Sequence, residues 1–390
     1  MESNAGQSFE MVAKTFYGLE QILAKEIRKI GGNKLEILNR AVKFYGDKSI
    51  LYKTNLYLRT ALRILVPLFK VRINSQDELY ERVHEYEWEK HLKPGNSIAV
   101  DTFLKSSFFT HSHYVSLRTK DAIADRFREK FKRRPVVNRE NPDILINVHL
   151  VNNELLISLD TSGISLHKRG YRVAEVSAPL NEVLAAGLIM ISGWKGETDF
   201  FDPMCGSGTV GIEAALIARE IPPGIFRKSF SFENSPDFER GLWNKIFDDI
   251  HEKKWDGKVY STDISTRAVN IAKANARQAS VTRNIEIREM AFENNNLPNG
   301  EGVAILNPPY GERMKRTNIN EFYQMIGNSM KTNFPGTDVW IISSDFDALK
   351  HVGLRPCQKL KLYNGSLECK YQKYEIYAGS KKGKYQNKKK

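Results

Sequence analysis

Val303-Ala304-Ile305-Leu306-Asn307-Pro308-Pro309-Tyr310 joins a short apolar run to an amide, two prolines and an aromatic ring. The apolar run, residues 303–306, predicts a buried strand, so Asn307–Tyr310 should stand at the carboxyl end of that strand. In open parallel α/β sheets, ligands bind along this edge. The stretch therefore predicts an α/β fold with a functional site at the end of this strand.

The tetrapeptide has the chemistry to hold a planar exocyclic amine. The side-chain carbonyl of Asn307 and the backbone carbonyl of Pro308 can accept its two N–H groups, while Tyr310 stacks on the attached ring. Pro308 and Pro309 fix φ and remove backbone donors, so these carbonyls have little freedom. A plain proline turn at a strand end uses the same residue types, and the tetrapeptide alone leaves both alternatives open.

A glycine-containing loop further upstream supplies a second signal. Residues 198–201 predict a strand, residues 210–219 predict a helix, and Asp202-Pro203-Met204-Cys205-Gly206-Ser207-Gly208-Thr209 lies between them. Glycines let the backbone approach a ligand closely, and the free N–H groups of the helix face the loop. Gly206, Gly208 and Gly211 also fit the dinucleotide-binding pattern. Asp202 favours another ligand, because a carboxylate suits the ammonium of an amino acid better than a pyrophosphate.

Asp263, which closes the predicted strand at residues 258–262, is the third signal. An acid at the end of the second strand is well placed to bind ribose hydroxyls. The order of glycine loop, ribose acid and Asn-Pro-Pro-Tyr resembles the class I S-adenosylmethionine-dependent methyltransferases that modify amino groups. A dinucleotide-binding domain does not explain the tetrapeptide. The resemblance implies S-adenosylmethionine as cofactor, with residues 202–209 on its methionine part, Asp263 and Ile264 at its ribose, and Asn307 nearby.

Composition indicates a globular protein. The 390 residues are 41% hydrophobic, which allows two or three domains with real cores. No apolar run is long enough to cross a membrane and no secretory signal is visible, so a cytoplasmic location is expected. Cys205, Cys357 and Cys369 have no metal spacing and suit reduced thiols. His111 and His113 lack nearby cysteines or clustered acids, so no metal is expected.

The formal net charge of +13 indicates an anionic partner. Basic residues concentrate in residues 105–134, in the motif at residues 167–172 and in the tail at residues 381–390. The tail predicts a solvated end. The two internal clusters lie among apolar residues and are predicted to contact phosphates through Lys132, Arg133, Arg134, Lys168, Arg169 and Arg172.

The first 165 residues alternate strand and helix patterns, which predicts one or two α+β modules ahead of the Rossmann-like half. The predicted strands lie at residues 9–15, 35–45 and 97–103, and the predicted helices at residues 19–30, 52–66 and 114–132. The helix at residues 52–66 should run into Pro67. Residues 143–150 and 154–160 predict a hairpin around Asn152-Asn153, a favourable turn pair.

Motifs along nearly the whole chain resemble the RlmL-type methyltransferases, which carry a THUMP domain that binds RNA. These motifs are Thr110-His111-Ser112-His113-Tyr114 with Asp121-Ala122-Ile123 and Arg126-Phe127, Leu166 to Arg172, Ala178-Pro179-Leu180-Asn181-Glu182, residues 202–209, Asn307 to Arg313, and Leu362-Tyr363-Asn364-Gly365 with Glu368-Cys369. The resemblance implies a ferredoxin-like part at residues 1–62, a THUMP RNA-binding domain at 63–165, a Rossmann-fold methyltransferase domain at 166–380 and a basic tail at 381–390.

The resemblance also implies a function: methylation of the N2 amine of a guanine in large-subunit (23S) ribosomal RNA, by a monomer. Asn307, Pro308, Pro309 and Tyr310 would hold the base after it leaves its stack. The basic residues of the internal clusters would contact the RNA. Three alternatives stay open: a transfer RNA guanine-N2 methyltransferase, a DNA adenine-N6 methyltransferase, and a non-enzymatic RNA-binding factor.

Two features depart from the family pattern. Some relatives carry a second methyltransferase unit that this sequence lacks after Lys390, so that activity is expected to be absent. The acid that faces the cofactor's adenine is usually Asp, and its counterpart here is Glu289. In addition, residues 225–256 form an insertion with several aromatic rings, predicted to be a local packed subdomain, with RNA contact as the alternative.

Overall fold

The computed structural model describes residues 6–176, 179–295, 302–309 and 318–377. The chain divides into two compact units: unit one is Met1–Thr15, Leu23–Lys168 and Arg227–Ile250, and unit two is Phe16–Ile22, Arg169–Phe226 and His251–Lys390. The helices of the described part are α1 (Glu20–Lys29), α2 (Lys48–Tyr57), α3 (Gln76–Glu85), α4 (Ser112–Phe131), α5 (Glu182–Ser192), α6 (Thr209–Ala218), α7 (Arg240–Asp248), α8 (Thr266–Gln278) and α9 (Ile319–Asn333). The strands are β1 (Phe9–Lys14), β2 (Asn33–Leu38), β3 (Ala41–Gly46), β4 (Arg63–Arg72), β5 (Ser97–Lys105), β6 (Val136–Val137), β7 (Ile144–Val151), β8 (Glu154–Asp160), β9 (Phe200–Asp202), β10 (Val259–Asp263), β11 (Ile285–Glu289), β12 (Gly302–Leu306), β13 (Thr337–Ser343), β14 (Gln358–Asn364) and β15 (Leu367–Glu375).

Unit one is built on a single eight-stranded sheet in the order β2-β3-β1-β4-β8-β7-β5-β6. β4 pairs with β1 on one side and with β8 on the other, so the strands of the first 62 residues and the later ones share this sheet. The hairpin of β7 and β8 turns at Asn152, whose φ is 54°, which confirms the predicted turn. The helix predicted at residues 114–132 is confirmed as α4.

The helix predicted at residues 52–66 is wrong. α2 ends at Tyr57, where Leu58 is extended, and residues 63–72 form β4 in the middle of the sheet. Apolar runs such as Ile64-Leu65-Val66 suit a helix face or a strand, and pairing with β1 and β8 decides between them. Pro67 has no N–H, and the ladder to β8 shifts register beside it. The single strand predicted at residues 35–45 is a hairpin of β2 and β3.

The segment Arg227–Ile250, from the insertion between α6 and β10, contributes to the core of unit one. Phe230, Phe232 and Trp243 are 4%, 4% and 8% exposed. The Phe232 ring stacks on Tyr52 of α2 with ring centroids 4.6 Å apart. The rings of the insertion pack on one another and on α2, so the insertion belongs to the core of unit one and is not a separate subdomain. Because these rings are buried, they cannot stack on RNA bases.

Unit two holds a seven-stranded sheet in the order β11-β10-β9-β12-β13-β15-β14. The strands β9 to β13 pair in parallel, and β15 runs antiparallel between β13 and β14. The dinucleotide-binding order lacks such an inserted strand. β9 lies where the strand order reverses, with β10 and β12 on either side, so a crevice for a ligand opens at the carboxyl ends of these strands. The predicted α/β class, a Rossmann-like sheet after an α+β region, is confirmed.

α9 covers β12, the strand that immediately precedes Asn307. Tyr323, Ile326 and Met330 of α9 are fully buried in one cluster with Leu306 and Ile341 of the sheet. Burying an apolar side chain of this size contributes roughly 1.5–3 kcal/mol, so this contact holds β12 firmly. Within the described ranges, no helix is long and apolar enough to span a membrane.

Candidate active site

A buried carboxylate shapes the loop after β9. Asp202 is 1% exposed, and its Oδ2 accepts the backbone N–H of Gly211, in the first turn of α6, at 2.9 Å. Gly208 has φ 80°, a left-handed conformation that favours glycine. A Cβ on Gly211 would lie 2.4 Å from Oγ of Ser261, so α6 can approach β10 this closely only with glycine there. The conformation of this loop is therefore fixed by its hydrogen bond to α6 and by the close packing of α6 on β10.

Asp263 ties the end of β10 to the same loop. Its Oδ2 accepts the N–H of Gly206 at 2.9 Å, and its Oδ1 accepts the N–H of Ser265 at 2.9 Å. Each carboxylate oxygen retains a second lone pair for ligand hydroxyls. Ile264 is 71% exposed although it is apolar. An acid beside an exposed apolar side chain suits a sugar that carries a flat ring.

Burial changes the protonation of Asp202. Loss of solvation raises the pKa of this carboxyl to about 7; the Gly211 N–H opposes the rise and the charge of Asp263 adds to it. A cationic ligand would favour the ionised form and lower this pKa. Burial also raises the pKa of the Cys205 thiol well above its ordinary value. Cys205 is thus a neutral wall residue and not a thiolate nucleophile.

Asn307 stands directly after β12, at the adjacent strand end. Its Oδ1 is buried and has no hydrogen-bond partner among the residues that the structure describes. An unpaired buried acceptor costs about 1–3 kcal/mol, so a donor from a ligand would relieve this cost. Pro308 is buried and Pro309 is half-buried. Tyr310, predicted to stack on a base, lies outside the described residues.

The ends of β9, β10 and β12 line a cavity of about 390 Å³, a usual size for a ligand site. All of its walls come from unit two. It brings together most of the predicted site residues: Asp202, Pro203, Met204, Cys205, Gly206, Ser207, Thr209, Asp263, Ile264, Asn307 and Pro309. Other walls, which the sequence did not single out, include Val176, Met290, Phe292, Glu293, Phe322 and Met325. Their only sequence signal is position, before α5, after β11 or on α9. Leu180, from the family motif at residues 178–182, also lines the cavity.

Glu289, predicted to face the cofactor's adenine, is not among the residues that line this cavity. It is the last residue of β11 and is exposed. Beyond it the N–H of Met290 bonds to the carbonyl of Asp263 at 3.0 Å, which turns the chain across the end of β10. That turn carries Met290 and the carboxylate of Glu293 to the wall instead. Gly208 and Pro308 also fall outside the lining, although their neighbours belong to it.

The motif at residues 167–172 turns inward, which corrects part of the predicted phosphate contact. Arg169 is 2% exposed, and its Nε lies 3.4 Å from Oε1 of Glu213, a buried residue of α6. The hydroxyl of Tyr171 donates to the same oxygen at 3.1 Å. Because its charge is paired in the interior, Arg169 is not an RNA contact. Lys168, by contrast, is exposed.

Arg172 is the second correction in this motif. Its Nε donates to Oε1 of Glu182 at 2.8 Å, and its Nη2 donates to the carbonyl of Leu180 at 3.1 Å. The same guanidinium donates to the hydroxyls of Ser207 and Thr209, at 2.9 Å each. Arg172 therefore braces the loop after β9 rather than an RNA phosphate. The basic pattern could not reveal this, since the acceptors lie in later elements of the chain.

Asn275 of α8 fastens the linker, which is the segment at residues 169–176 ahead of α5, to the loop after β9. It is 1% exposed, and its Nδ2 donates to the carbonyls of Ala174 and Ser207, at 3.0 Å each. Its Oδ1 accepts the N–H of Val173 at 2.9 Å. The side chain of Asn275 thus joins α8, residues 173–174 and the loop after β9. No pattern in the sequence indicated this role.

Lys132, Arg133 and Arg134 are exposed just beyond the body of α4, in unit one. Lys132 ends the helix in a left-handed conformation with φ 55°. The three side chains therefore remain available to an anionic partner. No group of three or more His, Cys, Asp or Glu that could hold a metal ion occurs in the part of the chain that the structure describes.

A parallel sheet with a glycine loop after its central strand, an acid after the next strand and Asn-Pro-Pro on the other side defines a class I methyltransferase. The chain belongs to the RMKL-like methyltransferase family, whose methyltransferase-domain model matches residues 169–373. The THUMP domain model matches residues 74–160, and the RlmL ferredoxin-like domain model matches residues 10–65. The predicted RlmL-type family is confirmed.

Known proteins resemble the chain over most of its length. A Synechocystis protein named "Putative RNA methyltransferase slr0064" is 35% identical, over 92% of this chain and 94% of its own. The ribosomal RNA large subunit methyltransferase K/L of Shewanella frigidimarina is 35% identical over 94% of this chain, which spans only 52% of that enzyme. The crystal structure of SMU.472 complexed with SAH has a TM-score of 0.83 at 30% identity and covers 96% of this chain and 100% of its own.

We expect Asp202→Asn to change how stability depends on pH. An unfolded Asp titrates near pH ~3.9 and folded Asp202 near 7. Between these values the folded state holds a proton on Asp202 that the unfolded state has released, so the contribution of Asp202 to wild-type stability falls as pH rises. The variant lacks this loss, so its free energy of unfolding relative to wild type should rise by up to about 4 kcal/mol between pH 4 and pH 8.

Urea denaturation at a series of pH values measures this difference. Glu289→Gln is the control, because removal of an exposed carboxylate should change stability by less than about 0.5 kcal/mol throughout. Parallel stability curves for wild type and Asp202→Asn would show that Asp202 is ordinarily solvated.

Proposed function

We propose that this chain is an S-adenosylmethionine-dependent methyltransferase that methylates the N2 amine of a guanine in large-subunit ribosomal RNA. The observation that carries the proposal is the buried Oδ1 of Asn307, which has no partner among the described residues and lies at the same cavity as buried Asp202. One group suits an amine to be methylated, and the other suits the ammonium of the methyl donor. Family membership and the name of the ribosomal RNA methyltransferase K/L support this choice.

The residues present fit the cofactor. Asp202 would hold its ammonium, since a buried carboxylate with a raised pKa is stabilised by a cation. Asp263 would accept the ribose hydroxyls, and exposed Ile264 would pack on the adenine ring. Pro203 through Thr209 would form the wall along the methionine part. Glu293 is better placed than Glu289 to accept the adenine amine, because Glu293 lines the cavity.

When bound, S-adenosylmethionine supplies an activated methyl group. The chain's own task is to position the amine, and alignment of this kind can supply most of the acceleration. The Oδ1 of Asn307 and the carbonyl of Pro308 would accept the two amine hydrogens, which directs the nitrogen lone pair away from them. Pro308 and Pro309 hold these acceptors in place. Tyr310 would stack on the extruded base, and no general base is required because the methylated nitrogen loses its proton readily.

The exposed cations of unit one support a nucleic acid as the partner, and the matched THUMP model favours RNA. Lys132, Arg133 and Arg134 at the end of α4, together with Lys168, would contact phosphates. The matched THUMP and ferredoxin-like models cover most of this unit. The chain spans about half of the K/L enzyme, so the ribosomal substrate is part of the proposal. Such a substrate places the enzyme in the cytoplasm.

Asn307 is also compatible with a second candidate function, the methylation of the N6 amine of adenine. The N6 amine of adenine offers the same two N–H groups as the N2 amine of guanine, so the acceptor pair does not separate them. The basic surface fits RNA or DNA phosphates equally. The target base and nucleic acid must therefore be read directly from the product.

Mass mapping of ribosomal RNA tests the proposal. In a strain that lacks this gene we expect one guanine of the large-subunit RNA to lose a methyl group, because the enzyme that methylates it is missing. Return of the wild-type gene should restore the mass, and return of an Asn307→Ala gene should not. A complete methylation map in the deletion strain, or a loss confined to transfer RNA or DNA adenine, would reject the ribosomal assignment.

We expect Asn307→Ala to lower turnover at least about 100-fold while cofactor affinity stays within a few-fold, because the side chain serves the amine and not the cofactor. Single-turnover methylation and equilibrium binding of the cofactor product measure the two effects separately. Asn141→Ala, a change on the exposed surface of unit one, is the matched control. Full activity of Asn307→Ala would remove the residue from the mechanism.

Replacing Lys132, Arg133 and Arg134 by glutamine should weaken RNA binding and flatten its salt dependence. If all three contact phosphates, the slope of log affinity against log salt should fall by about 2–3. Filter binding at several salt concentrations measures the slope. The control changes Lys25, Arg28 and Lys29, three exposed cations of α1. An equal effect from both triple variants would mean that only net charge matters and would argue against a footprint at α4.

A further inference from the structure

Two hydroxyls of the loop after β9 share an unusual environment. Ser207 and Thr209 are each 3% exposed, and both line the cavity. Their oxygens lie 3.3 Å apart. A buried hydroxyl needs partners, and these two meet the same guanidinium, that of Arg172.

Arg172 determines which way the hydroxyls donate. Its Nη1 lies 2.9 Å from Oγ of Ser207, and its Nη2 lies 2.9 Å from Oγ1 of Thr209. A guanidinium has donors only, so both oxygens must accept from it and turn their own protons elsewhere. One proton can bridge the two oxygens. In the described ranges no other acceptor takes the second, so at least one O–H is left to donate into the cavity.

Further hydrogen bonds hold the Arg172 guanidinium in position. Its Nε donates to Oε1 of Glu182 at 2.8 Å, and its Nη2 also donates to the carbonyl of Leu180 at 3.1 Å. The Arg172 and Glu182 side chains are 15% and 6% exposed. The hydrogen bonds to Glu182 and Leu180 thus hold this half-buried guanidinium in the position from which it orients the two hydroxyls.

These donors suit a carboxylate. A hydroxyl polarised by a cation is a strong donor to an anion, and Thr209 is also the first residue of α6, where the helix dipole favours negative charge. Asp202, 1% exposed at the same cavity, supplies the opposite charge. Hydroxyl donors and a buried acid at the same cavity match an amino-acid zwitterion. They do not match a pyrophosphate, which the carboxylate of Asp202 would repel.

We propose that Ser207 and Thr209, oriented by Arg172, bind the carboxylate of the cofactor's amino-acid end. Arg172 is a positioning residue that acts through the two hydroxyls. The inference rests on the proposed function, because it assumes a methionine-derived ligand in the cavity. Arg172, which the sequence predicted to contact RNA, thus serves the cofactor site instead.

Calorimetry with two ligands tests the inference. S-adenosylhomocysteine carries the carboxylate, and S-adenosyl-3-thiopropylamine differs from it only by lacking that group. Wild type should prefer S-adenosylhomocysteine by roughly 10- to 100-fold, as expected for a charge-assisted hydrogen bond. In the double variant Ser207→Ala, Thr209→Val we expect this preference to fall to within about 3-fold. Binding of the analogue itself should change little.

Two further variants separate positioning from folding. Arg172→Lys keeps a charge but cannot bridge both hydroxyls, so its preference should fall between those of wild type and the double variant. Ser261→Ala removes a buried hydroxyl that is not part of the cavity lining and should keep the wild-type preference. Thermal denaturation of each protein identifies any that fails to fold, and the hydroxyl variants leave the pair of Arg172 and Glu182 intact.

The outcomes separate the role of the two hydroxyls from the proposed function of the protein. An unchanged preference in a folded double variant would overturn the role of the hydroxyls, while cofactor binding itself stood. Failure of wild type to bind S-adenosylhomocysteine at all would overturn the proposed function, and the inference with it.

Discussion

The burial of one carboxylate, Asp202, is the constraint on which the rest of the site depends. A lone buried acid is costly, and the structure relieves this cost only in part, through the N–H of Gly211. That bond ties the end of β9 to the first turn of α6 and so shapes the loop between them. The remaining deficit can be met by a cationic ligand. The same group thus determines the local backbone and the kind of molecule that the cavity can accept.

A polar network extends this constraint to the linker. Arg172 and Asn275 hold the loop from two sides, and Arg169 and Tyr171 meet Glu213 on α6. The linker is therefore part of the methyltransferase architecture and not a basic patch. Buried donors and acids that pair with one another are costly to separate, so this network gives the loop one well-defined conformation.

The aromatic insertion likewise carries residues typical of RNA contact that are buried in the structure. Its rings complete the core around α2 in unit one, although they occur in the chain between two elements of unit two. Aromatic and basic residues are the usual signals of RNA contact, yet the buried rings of the insertion, together with Arg169 and Arg172, serve the interior of the protein. The exposed cations at the end of α4 and at Lys168 remain as the charge that fits an RNA partner.

The amino-acid sequence by itself determined the class of fold, the family and the strand ends that carry Asp202, Asp263 and Asn307. These depend on local signals: apolar runs, glycine turns and prolines that act over a few residues. Only the tertiary structure decided that residues 63–72 are a strand, that Arg169 and Arg172 point inward, and that Glu293 replaces Glu289 at the cavity. Each of these outcomes depends on a partner distant in the chain, a pairing strand, a buried acid or a turn across a neighbouring strand. Local patterns carry no record of such partners.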